Sequence, residues 1–193
     1  MKTRFKKHLR VARYVVYKET LIDLKDHFWT FIGSFTGIAL IGLINNENLS
    51  ASDSVFLIGS FGASSVLIYG IVNSPLAQPR NLIGGHVICA LVGVTVHYII
   101  PDQIWLASAL AVSLSIVFMQ ITKTLHPPGG ATALIANIGS EKITSLGFLY
   151  VLSPVLSGAI ILLLVAILVN NSAAHRQYPV NKHWYKIWQK RYK

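Results

Sequence analysis

The sequence predicts an all-α integral membrane protein with about six membrane-crossing segments. Of its 193 residues, 53% are hydrophobic and only 12% are charged, which is too apolar for a soluble domain of this size. A bilayer core of about 30 Å requires about 20 apolar residues in each helical crossing. Five apolar segments approach this length and a sixth is shorter: 28–44, 53–72, 82–100, 104–122, 146–170 and, as the short one, 127–138.

Basic residues are concentrated at the two ends of the chain and in short loops. Seventeen Lys and Arg residues stand against seven Asp and Glu, but only three basic residues lie between Phe28 and Asn171. Placing both tails, 73–81 and 123–126 on one side puts sixteen of the seventeen there. Because basic loops stay in the cytoplasm, this pattern predicts cytoplasmic termini and hence an even number of crossings, six. An apolar core between basic ends argues against nucleic acid as the partner and favours contact with anionic lipid.

The two ends of the chain are predicted to lie outside an apolar domain that spans 28–171. In 1–27, apolar and charged residues alternate at helical spacing, which predicts a basic amphipathic helix on the membrane surface. Tyrosine and tryptophan accompany the basic residues of 172–193, as is typical of an interfacial cytoplasmic tail. The apolar domain itself divides into two sets of three crossings, 28–100 and 104–170.

A short motif occurs once in each set of three crossings. The strings Gly-Ala-Ser at 62–64 and Gly-Ala-Thr at 130–132 each precede an apolar run in the second crossing of their set. Because three is odd, the two sets have opposite orientations, as in the inverted repeats of many transporters; chance or helix packing is the alternative explanation. Helix-breaking residues precede both strings. We therefore expect helices that begin inside the membrane after Gly62 and Gly130, with N-termini that favour an anion.

The predicted binding site combines the residues at these helix breaks with the few polar side chains of the apolar domain. Hydroxyls after a break can bond a substrate or their own helix, and His126 can donate a hydrogen bond, pass a proton near neutral pH or cap the proline pair. His86 follows a glycine pair, where helix packing is the alternative role, and Arg80 can gather anions or pair with lipid phosphate. The candidate site residues are His126, Gly129, Gly130, Thr132, Gly62, Ser64, Ser65, Arg80 and His86.

The residue types of the apolar domain favour an anion over a cation. No Asp or Glu lies between Asp53 and Asp102, or between Asp102 and Glu141, whereas cation carriers place carboxylates in the membrane. The chain has no phosphate loop, no serine elbow and no cluster of metal ligands, so we expect neither an enzyme nor a cofactor. Two alternatives remain open: a scaffold or sensor that recruits partners through the basic tails, and a membrane enzyme that uses His126.

Three longer strings connect the chain with a known family. Thr-Leu-His-Pro-Pro-Gly-Gly-Ala-Thr-Ala-Leu at 124–134 is accompanied by Phe-Gly-Ala-Ser-Ser at 61–65 and by the segment 74–86 that ends in Gly-Gly-His. Together they resemble the HPP family of integral membrane proteins, named for the His-Pro-Pro triplet found here at 126–128, and the resemblance covers about residues 25–172.

This resemblance implies a transport function. Members of the family in cyanobacteria and chloroplasts are described as nitrite transporters, so the resemblance implies a channel or secondary transporter for a small monovalent anion, nitrite in the first place. It also implies a bacterial or cyanobacterial plasma membrane as the location.

Six short crossings enclose only a narrow path, which favours a homo-oligomer with one path in each protomer.

Overall fold

A computed structural model describes residues 24–46 and 59–181, and all regular structure within these two ranges is helical. The helices in chain order are α1 (Leu24–Asn46), α2 (59–70), α3 (Pro79–Ile99), α4 (Ile104–Thr122), α5 (Pro128–Ile138), α6 (Glu141–Thr144) and α7 (Val151–Ser172). A short 3₁₀ turn, Pro75–Ala77, precedes α3. The predicted class, an all-α membrane protein, is confirmed for the part of the chain that the structure describes.

Four of the described helices are long and apolar enough to cross a membrane. They are α1, α3, α4 and α7, with spans of 19 to 22 residues. The short predicted segment 127–138 is found as α5, whose 11 residues rise about 16 Å, half of a bilayer core. Only the part of the predicted crossing 53–72 from residue 59 onward is described, and it contains α2. In the described ranges, helix length and composition therefore support four crossings, and the predicted six are not confirmed.

The predicted helix start after Gly62 is wrong. Residues 59–65 are already helical, and α2 passes through Gly62 before it ends in a π-helical turn at Val66–Gly70. In the second motif the prediction is closer, because α5 begins at Pro128, two residues before Gly130. Proline suits the first turn of a helix because it lacks the N–H that would be unpaired there.

The start of α1 and the segment after α7 meet at one face of the bundle, termed the terminal face. Arg176 Nε donates to Asp26 Oδ1 over 2.6 Å, and the Tyr178 hydroxyl donates to Ala77 O over 2.7 Å. Tyr178 is only 1% exposed, and burial raises the pKa of its phenol, which therefore stays a neutral donor. The first residues of the predicted tail are thus packed against the bundle.

The loops before α3 and α5 also lie at the terminal face. Asn81 Nδ2, in the first turn of α3, donates to Leu125 O over 2.7 Å and joins the start of α3 to the loop before α5. On the opposite side, the end of α3 approaches the segment before α7, where the rings of Tyr98 and Phe148 lie 5.9 Å apart. The described parts of the segments that the charge pattern grouped together do share one face. Residues 1–23, most of the predicted amphipathic helix, and 182–193, the rest of the predicted tail, lie outside the described ranges.

Helix α3 is central: it packs against α4, α5 and α7, while α1 packs against α2 and α7. The ring of Tyr69, on α2, is fully buried between α1 and α7, and its hydroxyl donates to Leu162 O over 3.2 Å. A Cβ on Gly37 of α1 would lie 2.7 Å from that hydroxyl oxygen. Gly33 and Gly37, spaced as in small-residue packing motifs of membrane helices, therefore allow the close approach of α1 to this tyrosine.

Candidate functional site

Four of the predicted site residues meet in one buried cluster inside the bundle. Ser64 of α2 lies between two imidazoles, with its Oγ 2.8 Å from Nε2 of His86 and 2.9 Å from Nε2 of His126. Nδ1 of His86 lies 2.7 Å from Oγ1 of Thr132. None of the four residues is more than 2% exposed. Three helices and the loop before α5 thus bring their polar side chains to one place.

The cluster continues into a chain of hydrogen bonds that ends on a backbone carbonyl at each side. At one end, Nδ1 of His126 lies 2.9 Å from Leu76 O. At the other, Ser60 Oγ lies 2.9 Å from Thr132 Oγ1 and 3.1 Å from Pro128 O. The hydroxyl–histidine chain is defined as Ser60, Thr132, His86, Ser64 and His126.

Ser60 is a member of this chain that the sequence reasoning missed. Ser60 belongs to the residues before the Gly-Ala-Ser string, for which the sequence predicts only a helix break. A usable signal was present, because Ser60 precedes Ser64 by four residues and so lies on the same face of a helix. Ser64 Oγ also lies 3.3 Å from Ser60 O, as expected for this spacing.

The two Gly-Ala-Ser/Thr strings contribute equivalent residues to the cluster. Ser64 and Thr132 occupy the third position of their strings, on α2 and α5. Ser64 contacts one nitrogen of His86 and Thr132 contacts the other. The ring of His86 therefore bridges the two helices that carry the repeated motif, and it packs 5.2 Å from the ring of Phe61.

Close packing between α3 and the loop before α5 sets the position of His126. A Cβ on Gly85 would lie 2.5 Å from His126 Cβ and 3.0 Å from Thr124 O. A Cβ on Gly129 would lie 3.0 Å from Gly85 O, so this pair of glycines allows the backbones to touch. At Gly130 a Cβ would meet nothing within 4 Å. Of the two adjacent glycines, Gly129 therefore packs against α3 while Gly130 faces open space.

Gly85→Ala is expected to lower the free energy of unfolding by about 1–3 kcal/mol, because the new methyl overlaps His126 and backbone that cannot yield easily. It should also separate His126 from Ser64. Gly130→Ala is the matched control, since it adds the same methyl to open space. Thermal unfolding in detergent compares the two variants. Equal midpoints for both would contradict the close packing described for Gly85.

Arg80 lies apart from the cluster. Its side chain is exposed at the terminal face, and Nη2 donates to Thr122 O over 2.7 Å. The guanidinium therefore holds the start of α3 to the end of α4. The predicted role of Arg80 in gathering anions stays a prediction.

Two further candidate residues line a groove between α1 and α2. The groove has a volume of about 460 Å³, and its walls include Gly62, Ser65, Thr30 and Ser34 together with exposed phenylalanines of α1. Ser65 is only 3% exposed, yet its Oγ has no hydrogen-bond partner among the described residues. Ser64 precedes Ser65 in the sequence, so successive serines of α2 belong to the hydroxyl–histidine chain and to the lining of the groove.

A buried cation that the sequence reasoning missed lies at the terminal end of this groove. Arg176 Nη2 donates to Thr30 Oγ1 over 2.9 Å, and Nη1 donates over 3.2 Å to both Tyr69 O and Asn170 Oδ1. Its side chain is 7% exposed, although the sequence reasoning counted it only as one basic residue of the tail. The sequence signal for this cation is its partner Asp26, because an acidic residue at the start of an apolar helix is costly without a nearby positive charge.

The chemistry of the cluster is that of neutral hydrogen bonding and proton exchange. Its bonds run between hydroxyls, imidazole nitrogens and backbone carbonyls. The two imidazoles meet without a third His, Cys, Asp or Glu ligand within the residues that the structure describes. Such an arrangement can donate hydrogen bonds to a small anion or pass a proton along the hydroxyl–histidine chain.

Comparison with known proteins identifies the family. The chain matches the family described as HPP, transmembrane region, over residues 19–179. Two transmembrane proteins of Dictyostelium discoideum are similar: one is 48% identical over 166 residues, which cover 84% of this chain and 57% of that protein. The other is 47% identical over 161 residues, covering 82% and 51% respectively. The chain thus spans about half the length of these curated relatives, and no solved structure matches it. This chain belongs to the HPP family of transmembrane proteins.

Proposed function

We propose that this protein moves a small monovalent anion across a membrane, with nitrite as the first candidate. The observation that carries the proposal is the hydroxyl–histidine chain, a continuous set of buried polar side chains inside an otherwise apolar helix bundle. Polar groups are costly at membrane depth and are retained there mainly along substrate and proton paths. The two motifs that resemble those of the nitrite-transporting family members both contribute to this set.

The groups around the groove favour a negatively charged substrate. Ser65 offers a hydroxyl with no partner among the described residues, and Thr30 connects the groove to the buried guanidinium of Arg176. The sequences of α2, α3, α4 and α5 contain no Asp or Glu. None of the residues that line the groove is Asp or Glu, so a small anion there can accept a hydrogen bond from the Ser65 hydroxyl without meeting a carboxylate.

The proposal includes the finer architecture that the sequence predicted. We propose that the helices form two inverted sets of three. One set is α1, α2 and α3, the other is α4, α5 and α7, and α2 and α5 are the paired second segments. The bridging of these two helices by His86 supports this pairing. The terminal face is proposed to face the cytoplasm of a bacterial or cyanobacterial plasma membrane, because it carries the basic loops. One path in each protomer of a homo-oligomer is part of the same proposal.

The test of this function is anion uptake by vesicles that contain the purified protein. Nitrite, nitrate, formate and chloride are offered separately, and uptake is compared with that of protein-free vesicles. We expect protein-dependent uptake of nitrite, with weaker uptake of chloride because chloride accepts hydrogen bonds less well. If none of the four anions enters faster than in protein-free vesicles, anion transport by this chain is wrong.

Ser65→Ala is expected to raise the nitrite concentration for half-maximal uptake by about tenfold or more, since a hydrogen bond to an ion contributes about 1.5–3 kcal/mol. The matched control is Ser108→Ala on α4, which removes another hydroxyl with no described partner but leaves the groove intact. Concentration dependence of initial uptake rates measures the effect. An equal change in both variants would exclude Ser65 from the substrate site.

A further inference from the structure

When both histidines are neutral, a single arrangement of protons pairs all four ring nitrogens. Leu76 O can only accept, so Nδ1 of His126 carries the proton and its Nε2 accepts from Ser64 Oγ. The one hydroxyl proton of Ser64 is then used, so Ser64 Oγ accepts from Nε2–H of His86. Nδ1 of His86 accepts in turn from the hydroxyl of Thr132. The two histidines are therefore opposite tautomers.

One added proton is accommodated by reversing the bonds between the members of the chain, while Nδ1–H of His126 continues to donate to Leu76 O. With Nε2 of His126 protonated, Ser64 Oγ accepts from it and turns its own proton toward Nε2 of His86. Nδ1–H of His86 then donates to Thr132, the Thr132 hydroxyl donates to Ser60, and Ser60 donates to Pro128 O. Both arrangements satisfy the hydroxyls and imidazoles without displacement of a heavy atom, because each end of the chain is a backbone carbonyl.

We infer that the hydroxyl–histidine chain binds one proton for each anion that crosses, so that transport is electroneutral. This inference rests on the proposed function and names the co-transported species. A lone positive charge on a fully buried imidazole is costly unless an opposite charge lies close to it. Since α2, α3, α4 and α5 supply no carboxylate, the anion in the groove beside Ser65 is the counter-ion, and each of the two charges favours binding of the other.

Other titratable groups near the chain are neutral hydrogen-bonding side chains. Tyr150 of the segment entering α7 donates its hydroxyl to Thr132 O over 3.0 Å. Cys89, one turn after His86 on α3, points its thiol to Met119 of α4 at 3.5 Å. The buried guanidinium of Arg176 is engaged with Asp26 at the terminal face. The two histidines are thus the groups that can carry the proton.

The proton is shared between the histidines by a balanced exchange through Ser64. The N–H bond of Nε2 on protonated His126 breaks as an O–H bond forms on Ser64. The previous O–H bond of Ser64 breaks as an N–H bond forms on Nε2 of His86. One proton enters and one leaves the hydroxyl, so Ser64 remains neutral while the positive charge moves from one ring to the other.

The proton arrangement can be tested without transport. The full chain is labelled with isotopic nitrogen in histidine, placed in lipid nanodiscs and measured by NMR at a pH near 8, with His86→Gln and His126→Gln used to assign the two rings. We expect His126 protonated on Nδ1 and His86 protonated on Nε2. If both rings show the same tautomer, the reversible hydrogen-bond chain is wrong, whether or not the protein carries an anion.

Coupling is tested by driving nitrite into vesicles with a nitrite gradient while an enclosed dye reports the internal pH. Protein-free vesicles correct for nitrous acid that crosses the lipid. We expect one proton to enter with each anion, no current, and faster uptake as the external pH falls from 8 to 6. Ser64→Ala should lower uptake at least tenfold and Ser64→Thr should restore much of it. Uptake that carries one negative charge per nitrite would overturn the inference while leaving anion transport intact. Failure of all uptake would instead refute the proposed function.

Discussion

His86→Ala is expected to reduce nitrite uptake to the level of protein-free vesicles and to lower the free energy of unfolding by about 2–4 kcal/mol. The ring is fully buried and joins α2 to α5 through Ser64 and Thr132. Alanine leaves both hydroxyls without this partner and opens a cavity beside Phe61. It also removes the central link of the hydroxyl–histidine chain, so no proton can pass between its halves.

The matched control for this prediction is His97→Ala. His97 lies on the same helix, in its last turn and outside the cluster, so the change of residue type is identical while the hydroxyl–histidine chain is kept. His86→Gln is the second variant, because its amide supplies one donor and one acceptor and should preserve folding better than alanine. Thermal unfolding and nitrite uptake are measured for all three. Normal uptake by folded His86→Gln and His86→Ala would remove His86 from the transport path.

Much of the candidate site could be predicted because polar residues are rare in this apolar sequence. The sequence predicts Ser64, His86, His126 and Thr132 as site residues from their position beside glycines and prolines, and the structure brings all four together. In a membrane domain each such side chain needs a polar partner, so the few that exist tend to find one another. Sequence alone therefore predicts the members of such a cluster better than those of a surface site.

The division of roles within the site could not be predicted from the sequence. Ser64 and Ser65 are adjacent and identical in type, yet one is bonded to two histidines and the other faces a groove without a described partner. Likewise Gly129 touches α3 while Gly130 faces open space. These differences depend on the rotation of α2 and α5 about their axes, which is set by packing against α3. Periodicity within one short helix does not specify it.

Backbone breaks were also predicted only in part. Glycine and serine at 59–62 suggested an interruption, but glycine is tolerated inside membrane helices and residues 59–65 are helical. The Pro-Pro pair at 127–128 is a stronger signal, because proline removes a backbone donor, and α5 does begin there. The irregular part of α2 is instead the π-helical turn at Val66–Gly70, and the glycine and proline pattern does not predict its position.

Arg176→Ala is expected to lower the free energy of unfolding by at least about 2 kcal/mol, because it leaves several partly buried acceptors unpaired. The guanidinium donates to the side chain and the backbone carbonyl of Asp26, each over 2.6 Å. It also bonds Thr30 on α1, Tyr69 O on α2 and Asn170 on α7. Three helices thus depend on one side chain that follows the last of them.

Arg176→Lys tests whether charge alone is sufficient. A lysine ammonium preserves the ion pair with Asp26 but lacks the planar fork that bonds three helices at once, so the unfolding midpoint should fall between those of wild type and alanine.

His175→Ala is the matched control: His175 also contacts Asp26 Oδ1, over 2.8 Å, but its side chain is 39% exposed and its pair should contribute little. Equal midpoints for the Arg176→Ala and His175→Ala variants would show that the buried guanidinium does not hold the helices together. A stable Arg176→Ala protein with a raised half-maximal nitrite concentration would instead assign the cation to the groove, since Thr30 is its direct link to that site.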